Sequence, residues 1–207
     1  MVQVPVKPPT QQLTDAEFRQ FLQQYEGTVL WELVNGYLSE MGEPGGNHQD
    51  LCSELQYWFE TAIRQQQRPL KVHPRTLCRL SSGNNRRPDL IVVDREIWKR
   101  NTVAEAILEE PPELVVEIVS TNWKDDYIDK PQAYATFGVK EHWIADFLLK
   151  RGSYPHHKNP DIHEPPLSIG ILNGSTYQWQ HFTGSQRIQS PLFPNLDLTV
   201  EKILQAI

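Results

Sequence analysis

Residues 113–120 read ELVVEIVS. A run of β-branched and aliphatic residues this continuous suits a strand covered on both faces. One carboxylate, Glu117, stands inside it. Burying an unpaired carboxylate costs several kcal/mol or more, so the strand keeps Glu117 only if a cation, a proton or a metal ion meets it. Upstream, residues 88–94 read PDLIVVD, a similar run with Asp89 at its head. Alternate strand residues share a face, so Asp89 aligns with Ile91 and Val93, and Glu117 with Val115 and Val119. Two carboxylates on neighbouring strands, facing the same way, make a hard-oxygen site suited to Mg²⁺ or Mn²⁺. The bland alternative pairs each acid with Arg86 or Arg87.

Downstream, the pattern predicts a helix from Asp125 to Phe137, ended by Gly138, and then the strand EHWIADF at 141–147. At about 100° per residue, Tyr127, Lys130, Tyr134 and Phe137 fall on one stripe. Lys130 therefore sits among inward-facing aromatics. Either its stem covers apolar surface while the amine reaches water, or the amine is aimed at the sheet, where it offsets the carboxylates and holds a water or a phosphate. Asp126 and Asp129 read as exposed partners.

Further upstream, Thr14 and Glu17 have capping-box spacing before a stripe of Phe18, Phe21, Leu22 and Tyr25. Asn35-Gly36 between TVLWELV and YLSEM is a strong hairpin signal. A second helix runs from His48 to about Arg64. LKVHPRTLCRL at 70–80 reads as one strand, bent or at an edge because of Pro74. SSGNNRR at 81–87 reads as a turn, and a polar helical stretch surrounds Trp98 before Pro111-Pro112. Near the end, residues 168–182 read as a hairpin about Asn173-Gly174, and LTVEKILQAI as a short closing helix. Helix, strands, helix and strand in that order predict a mixed sheet flanked by helices.

Composition fits a single α/β domain over 13–207 with a flexible N-terminal arm over 1–12. The chain has 207 residues, of which 39% are hydrophobic and 22% charged. Two cysteines without a CxxC argue against a disulfide framework or a cysteine zinc site. No run of about 18 apolar residues is present to span a bilayer, and residues 1–12 lack a signal-peptide core. These features predict a cytoplasmic protein with no membrane partner. A net charge of −6 excludes a general nucleic-acid coat, which carries a basic surface, but not a nuclease, since acidic sites lower net charge and a bound metal restores attraction to phosphate.

RPDLIVVD (87–94), ELVVEIVS (113–120) and DYIDKPQAYATFGVKEHWIAD (126–146), taken in order, resemble the Uma-two-type family of restriction-endonuclease proteins in the PD-(D/E)xK nuclease superfamily. The likeness extends over roughly residues 14–205. It implies a restriction-endonuclease-like αβββαβ core, here with an added C-terminal hairpin and short helix. It also implies Mg²⁺-dependent phosphodiester hydrolysis with nucleic acid, DNA foremost, as partner. Pro88-Asp89 matches the PD half of the motif and Glu117 its second acid. Val119 stands where the superfamily lysine would be, and Lys130 matches a lysine that has migrated into the following helix. Pro131 follows it directly, a residue tolerated in a first helical turn but kinking a helix further in.

The roles implied are Asp89, Glu117 and the Ile118 carbonyl as ligands of Mg²⁺ or Mn²⁺, with Lys130 as the catalytic lysine. Glu32 and His48 match family positions near the site, Glu32 as support or as a plain ion pair. His48 stands at a helix start, which a neutral histidine commonly caps, with contact to a phosphate as the lesser alternative. Cutting both strands calls for two sites, so a two-fold homodimer is expected. A catalytically silent relative that binds nucleic acid or a protein partner is the competing function. An unrelated α/β domain with structural acids would not cluster Asp89, Glu117 and Lys130. His156, His157 and His163 read as a solvated loop.

Overall fold

The computed structural model describes residues 11–101, 106–120, 124–147 and 166–205. The chain opens with α1 (Asp15–Gln24), whose N-terminus is closed by the anticipated capping box. The Glu17 N–H donates to Thr14 Oγ1 at 3.3 Å and the Thr14 N–H to Glu17 Oε2 at 2.8 Å. Next comes a hairpin of β1 (Trp31–Val34) and β2 (Tyr37–Glu40). Its two-residue turn needs positive φ at both positions, and Asn35 and Gly36 supply φ of 52° and 84°. The long helix α2 (Gly46–Gln65) follows.

Residues 70–80 form two strands, not one: β3 (Leu70–Pro74) and β4 (Leu77–Ser81). The reason is local. Pro74 has no N–H to continue a ladder, and Arg75 turns the chain at φ 47°. The two strands then enter different sheets. The polar stretch after β4 is a strand as well, β5 (Asn84–Arg86), and β6 (Leu90–Asp94), α3 (Arg95–Asn101), the short β7 (Ile107–Leu108) and β8 (Leu114–Ile118) follow. A π-helical turn over Asp125–Asp129 runs into α4 (Lys130–Phe137), which Gly138 ends at φ 98°. The Lys130 N–H reaches back five residues to the Asp125 carbonyl, and the next residue, Pro131, has no N–H to place. Then come β9 (Glu141–Ala145), the hairpin β10 (Leu167–Asn173) and β11 (Thr176–Phe182), and α5 (Val200–Leu204).

The strands form two mixed sheets. One has the order β2-β1-β5-β4-β7, the other β11-β10-β9-β8-β6-β3. In the second, β6 and β8 run antiparallel while β8 and β9 run parallel. One face of this sheet, with Leu90, Val92, Leu114 and Val116, packs on Leu51, Leu55 and Phe59 of α2. The opposite face, with Ile91, Val93 and Val115, packs on Tyr134 and Val139. Burial of each such side chain contributes roughly 1.5–3 kcal/mol, so both faces of β8 are committed to core, as its sequence requires. No helix among the described residues is long and apolar enough to cross a membrane. The histidine-rich loop lies outside the described residues except for Pro166.

One core residue carries a pH signature. His142 is fully buried in β9 against the rings of Tyr134, Tyr177 and Trp179. Neither ring nitrogen has a hydrogen-bond partner among the described residues. Burial, with the nearby Lys130 charge, pushes its pKa down to about 3. A depressed histidine means that the unfolded chain takes up the proton first, so stability is lost as pH falls from about 6.5 towards 3, by at most roughly 5 kcal/mol. His142→Leu removes both the orphan nitrogens and the titration. Acid unfolding followed by circular dichroism should give the variant a lower acid midpoint. A midpoint equal to the parent's would exclude His142 as the acid-labile group.

Candidate active site

The register of β6 and β8 pairs Leu90 with Val116 and Ile91 with Val115. One further step places Asp89 opposite Glu117. Asp89 is held there by the Ile118 N–H, which donates to Oδ2 at 2.8 Å. Glu117 projects to the α4 side of the sheet. Lys130 Nζ donates to its Oε2 at 2.7 Å, and the Tyr134 hydroxyl to its Oε1 at 2.5 Å. Lys130 also donates to Asp126 Oδ1 at 2.8 Å. The structure thus brings Asp89, Glu117 and Lys130 together at one cavity of about 670 Å³, which excludes scattered structural acids.

Arg86 and Arg87 do not neutralise the two acids. Arg86 bonds Asp125 through two contacts of 3.0 and 3.1 Å and Glu32 at 3.3 Å. The Arg87 backbone N–H donates to Glu32 Oε1 at 2.6 Å, while its guanidinium binds the carbonyls of Trp31 and Arg75. Glu32 is therefore both an ion-pair partner and part of the cavity wall.

Two expectations need correcting. His48 does not cap its helix. Gly45 occupies the cap position, and His48 Nε2 faces Asp89 Oδ2 at 3.3 Å, inside the cavity. Asp126 is buried, not exposed, because it supplies Lys130 with its second carboxylate. Asp129 is exposed.

The electrostatics follow from burial. Two carboxylates, Glu117 and Asp126, hold one ammonium, with the charges of Glu32 and Asp125 nearby and Asp89 on the same cavity wall. Burial pushes the Glu117 carboxyl well above the usual range, Lys130 pulls it down, and the charges of Asp89 and Asp126 push it up again. Burial likewise raises Asp126 against the pull of Lys130. Burial works against the Lys130 charge, but the carboxylates of Glu117 and Asp126 outweigh it and hold the ammonium well above its ordinary value. Tyr134, raised by burial and by Glu117, stays a neutral hydroxyl donor. The cluster has a surplus of negative charge and favours one more cation.

Sequence patterns held signals for the parts not singled out. Asp126 stands four residues before Lys130, the spacing of a helical ion pair, and Tyr134 stands four residues after it on the same stripe. Cys52 stands four residues after His48. Burial pushes its thiol up to about 12, so it is no nucleophile as it stands.

The two sheets, the helices and this strand-to-helix acid and lysine arrangement define a restriction-endonuclease-like fold. A crystal structure of "a putative nuclease belonging to DUF820" from Anabaena variabilis ATCC 29413 is similar, with a TM-score of 0.67 at 17% sequence identity, over 90% of this chain and 96% of that one. Residues 18–201 match the model of the Uma2 family, described as "Putative restriction endonuclease", and the chain belongs to that family. No curated protein matches the chain.

Proposed function

We propose that this chain is a divalent-metal-dependent nuclease that hydrolyses phosphodiester bonds in DNA. The supporting observation is the surplus of buried carboxylate around Lys130 at an open cavity. Asp89, Glu117 and the Ile118 carbonyl would hold Mg²⁺ or Mn²⁺, because their donors are all hard oxygens. When bound, the ion polarises a phosphoryl oxygen and makes a bound water more acidic.

The chain's own groups do the rest. Tyr134 and Lys130 fix the Glu117 carboxylate from two sides, so its orientation is set before any ligand arrives. The Ile118 N–H fixes Asp89 in the same way. An ammonium has three donors. Lys130 gives two to Glu117 and Asp126 and lines the cavity, and its third, which has no partner among the described residues, would orient a water or offset charge on the pentavalent phosphorus. Glu32 and His48 support the wall around these groups. A homodimer would present two such sites to the two strands of a duplex.

Calorimetric titration with Mn²⁺ tests the ligand set. The parent should bind the ion, and Asp89→Ala should lose affinity by about 100-fold or more, extrapolating from the 10- to 100-fold cost of losing an outer partner. Equal binding by parent and variant would reject the shared site.

A further inference from the structure

Asp89 has a second neighbourhood, on the side away from Lys130. His48 and Cys52 lie one turn apart on α2 and so project from the same face. His48 Nδ1 is 3.7 Å from Cys52 Sγ, and His48 Nε2 is 3.3 Å from Asp89 Oδ2. One ligating atom from each of the three residues lies within 4.8 Å of the other two. From this geometry we propose that His48, Cys52 and Asp89 form a binding site for a borderline-soft transition ion, Zn²⁺ foremost, distinct in chemistry from the oxygen site of Asp89, Glu117 and Ile118.

The donor types decide the ion. An imidazole nitrogen, a thiolate and one carboxylate suit zinc and disfavour Mg²⁺, which takes oxygen. The spacing fits after a modest side-chain adjustment. Zinc sits about 2.1 Å from nitrogen and oxygen and about 2.3 Å from sulfur, so in tetrahedral geometry two of its ligands stand roughly 3.6 Å apart. From separations within 4.8 Å, the three side chains need to close by about 1 Å at their widest, which rotamer adjustment supplies.

The surroundings fit too. Cys52 packs against the apolar cluster beneath α2, which limits its motion. His48 and Asp89 open onto the cavity, which gives an ion a route in and leaves a fourth position for water. Asp89 would then stand between a hard and a soft donor set, able to serve either.

Cobalt and zinc titrations of the full chain under reducing conditions test this without nucleic acid, so the outcome is independent of whether the protein cuts DNA. Co²⁺ should bind with a thiolate-to-cobalt charge-transfer band in the near ultraviolet. Cys52→Ser should abolish that band. Against a chromophoric chelator, Cys52→Ser and His48→Gln should each bind Zn²⁺ at least about tenfold more weakly than the parent. The cobalt band is read on the parent itself, so a poorly folded variant cannot hide it. Absence of the band from the parent would overturn the site. So would zinc affinity that is the same in Cys52→Ser, as when the ion sits on histidines elsewhere in the chain.

Discussion

Lys130→Met is expected to lower metal-dependent DNA cleavage by about 10²- to 10³-fold, the usual loss when one preorganised donor to a developing oxyanion is removed. Methionine keeps the apolar stem between Tyr134 and the sheet, so packing survives while the ammonium goes. Glu117 and Asp126 then lose their shared cation. Both already hold protons more tightly than ordinary carboxylates because they are buried, and without the lysine each holds its proton more tightly still.

The sign of the stability change follows. A carboxyl whose folded pKa lies above its unfolded value supports the fold at low pH and loses that support as pH rises through the folded value. Lys130→Met should therefore match the parent most closely near pH 4.5 and fall behind it as pH rises, while cleavage stays low throughout. Cleavage of plasmid DNA in Mg²⁺ is the readout, with urea unfolding at two pH values beside it. If Lys130→Met cuts as fast as the parent, the migrated-lysine assignment is wrong, and Lys124 or no lysine does the work.

Arg86→Met should have the largest effect on stability. The Arg86 side chain is 7% exposed and is bonded to Glu32 and Asp125, which are 8% and 15% exposed. Removing one member of a buried ionic group leaves its partners charged and unpaired, at a cost of about 3–5 kcal/mol. Urea unfolding should show the midpoint falling by that amount divided by an unchanged slope. A loss under about 1 kcal/mol would show that Glu32 and Asp125 find water or a proton without strain, a surface-like outcome.

Much of the site was legible because its residues break local rules. Glu117 in an apolar strand, Asp89 at the head of another and Lys130 on an aromatic stripe are each anomalous, and period-2 and period-3.6 geometry turn Glu117 and Lys130 toward each other, as their contact shows, whereas Asp89 meets His48 of α2. Other parts follow ordinary rules, so their patterns do not mark them as buried. Asp126 beside Lys130 reads as a solvated helical pair, and only the approach of α4 to β8 buries it. β5 was hidden by its polarity: Asn85 and Arg86 are interior because Asp15, Glu32 and Asp125 reach them from distant segments. The split of 70–80 into two sheets turns on one positive φ at Arg75, a conformation that an arginine does not advertise.

The π-helical turn before Lys130 has a consequence for chain length. It holds one residue more than an α-helical path over the same rise. Deleting Ile128 would restore ordinary winding and leave the flanking turns nearly in phase, with Asp126 three residues before Lys130 instead of four. A relative lacking the extra residue would have to carry its buried acid at a different offset from its lysine.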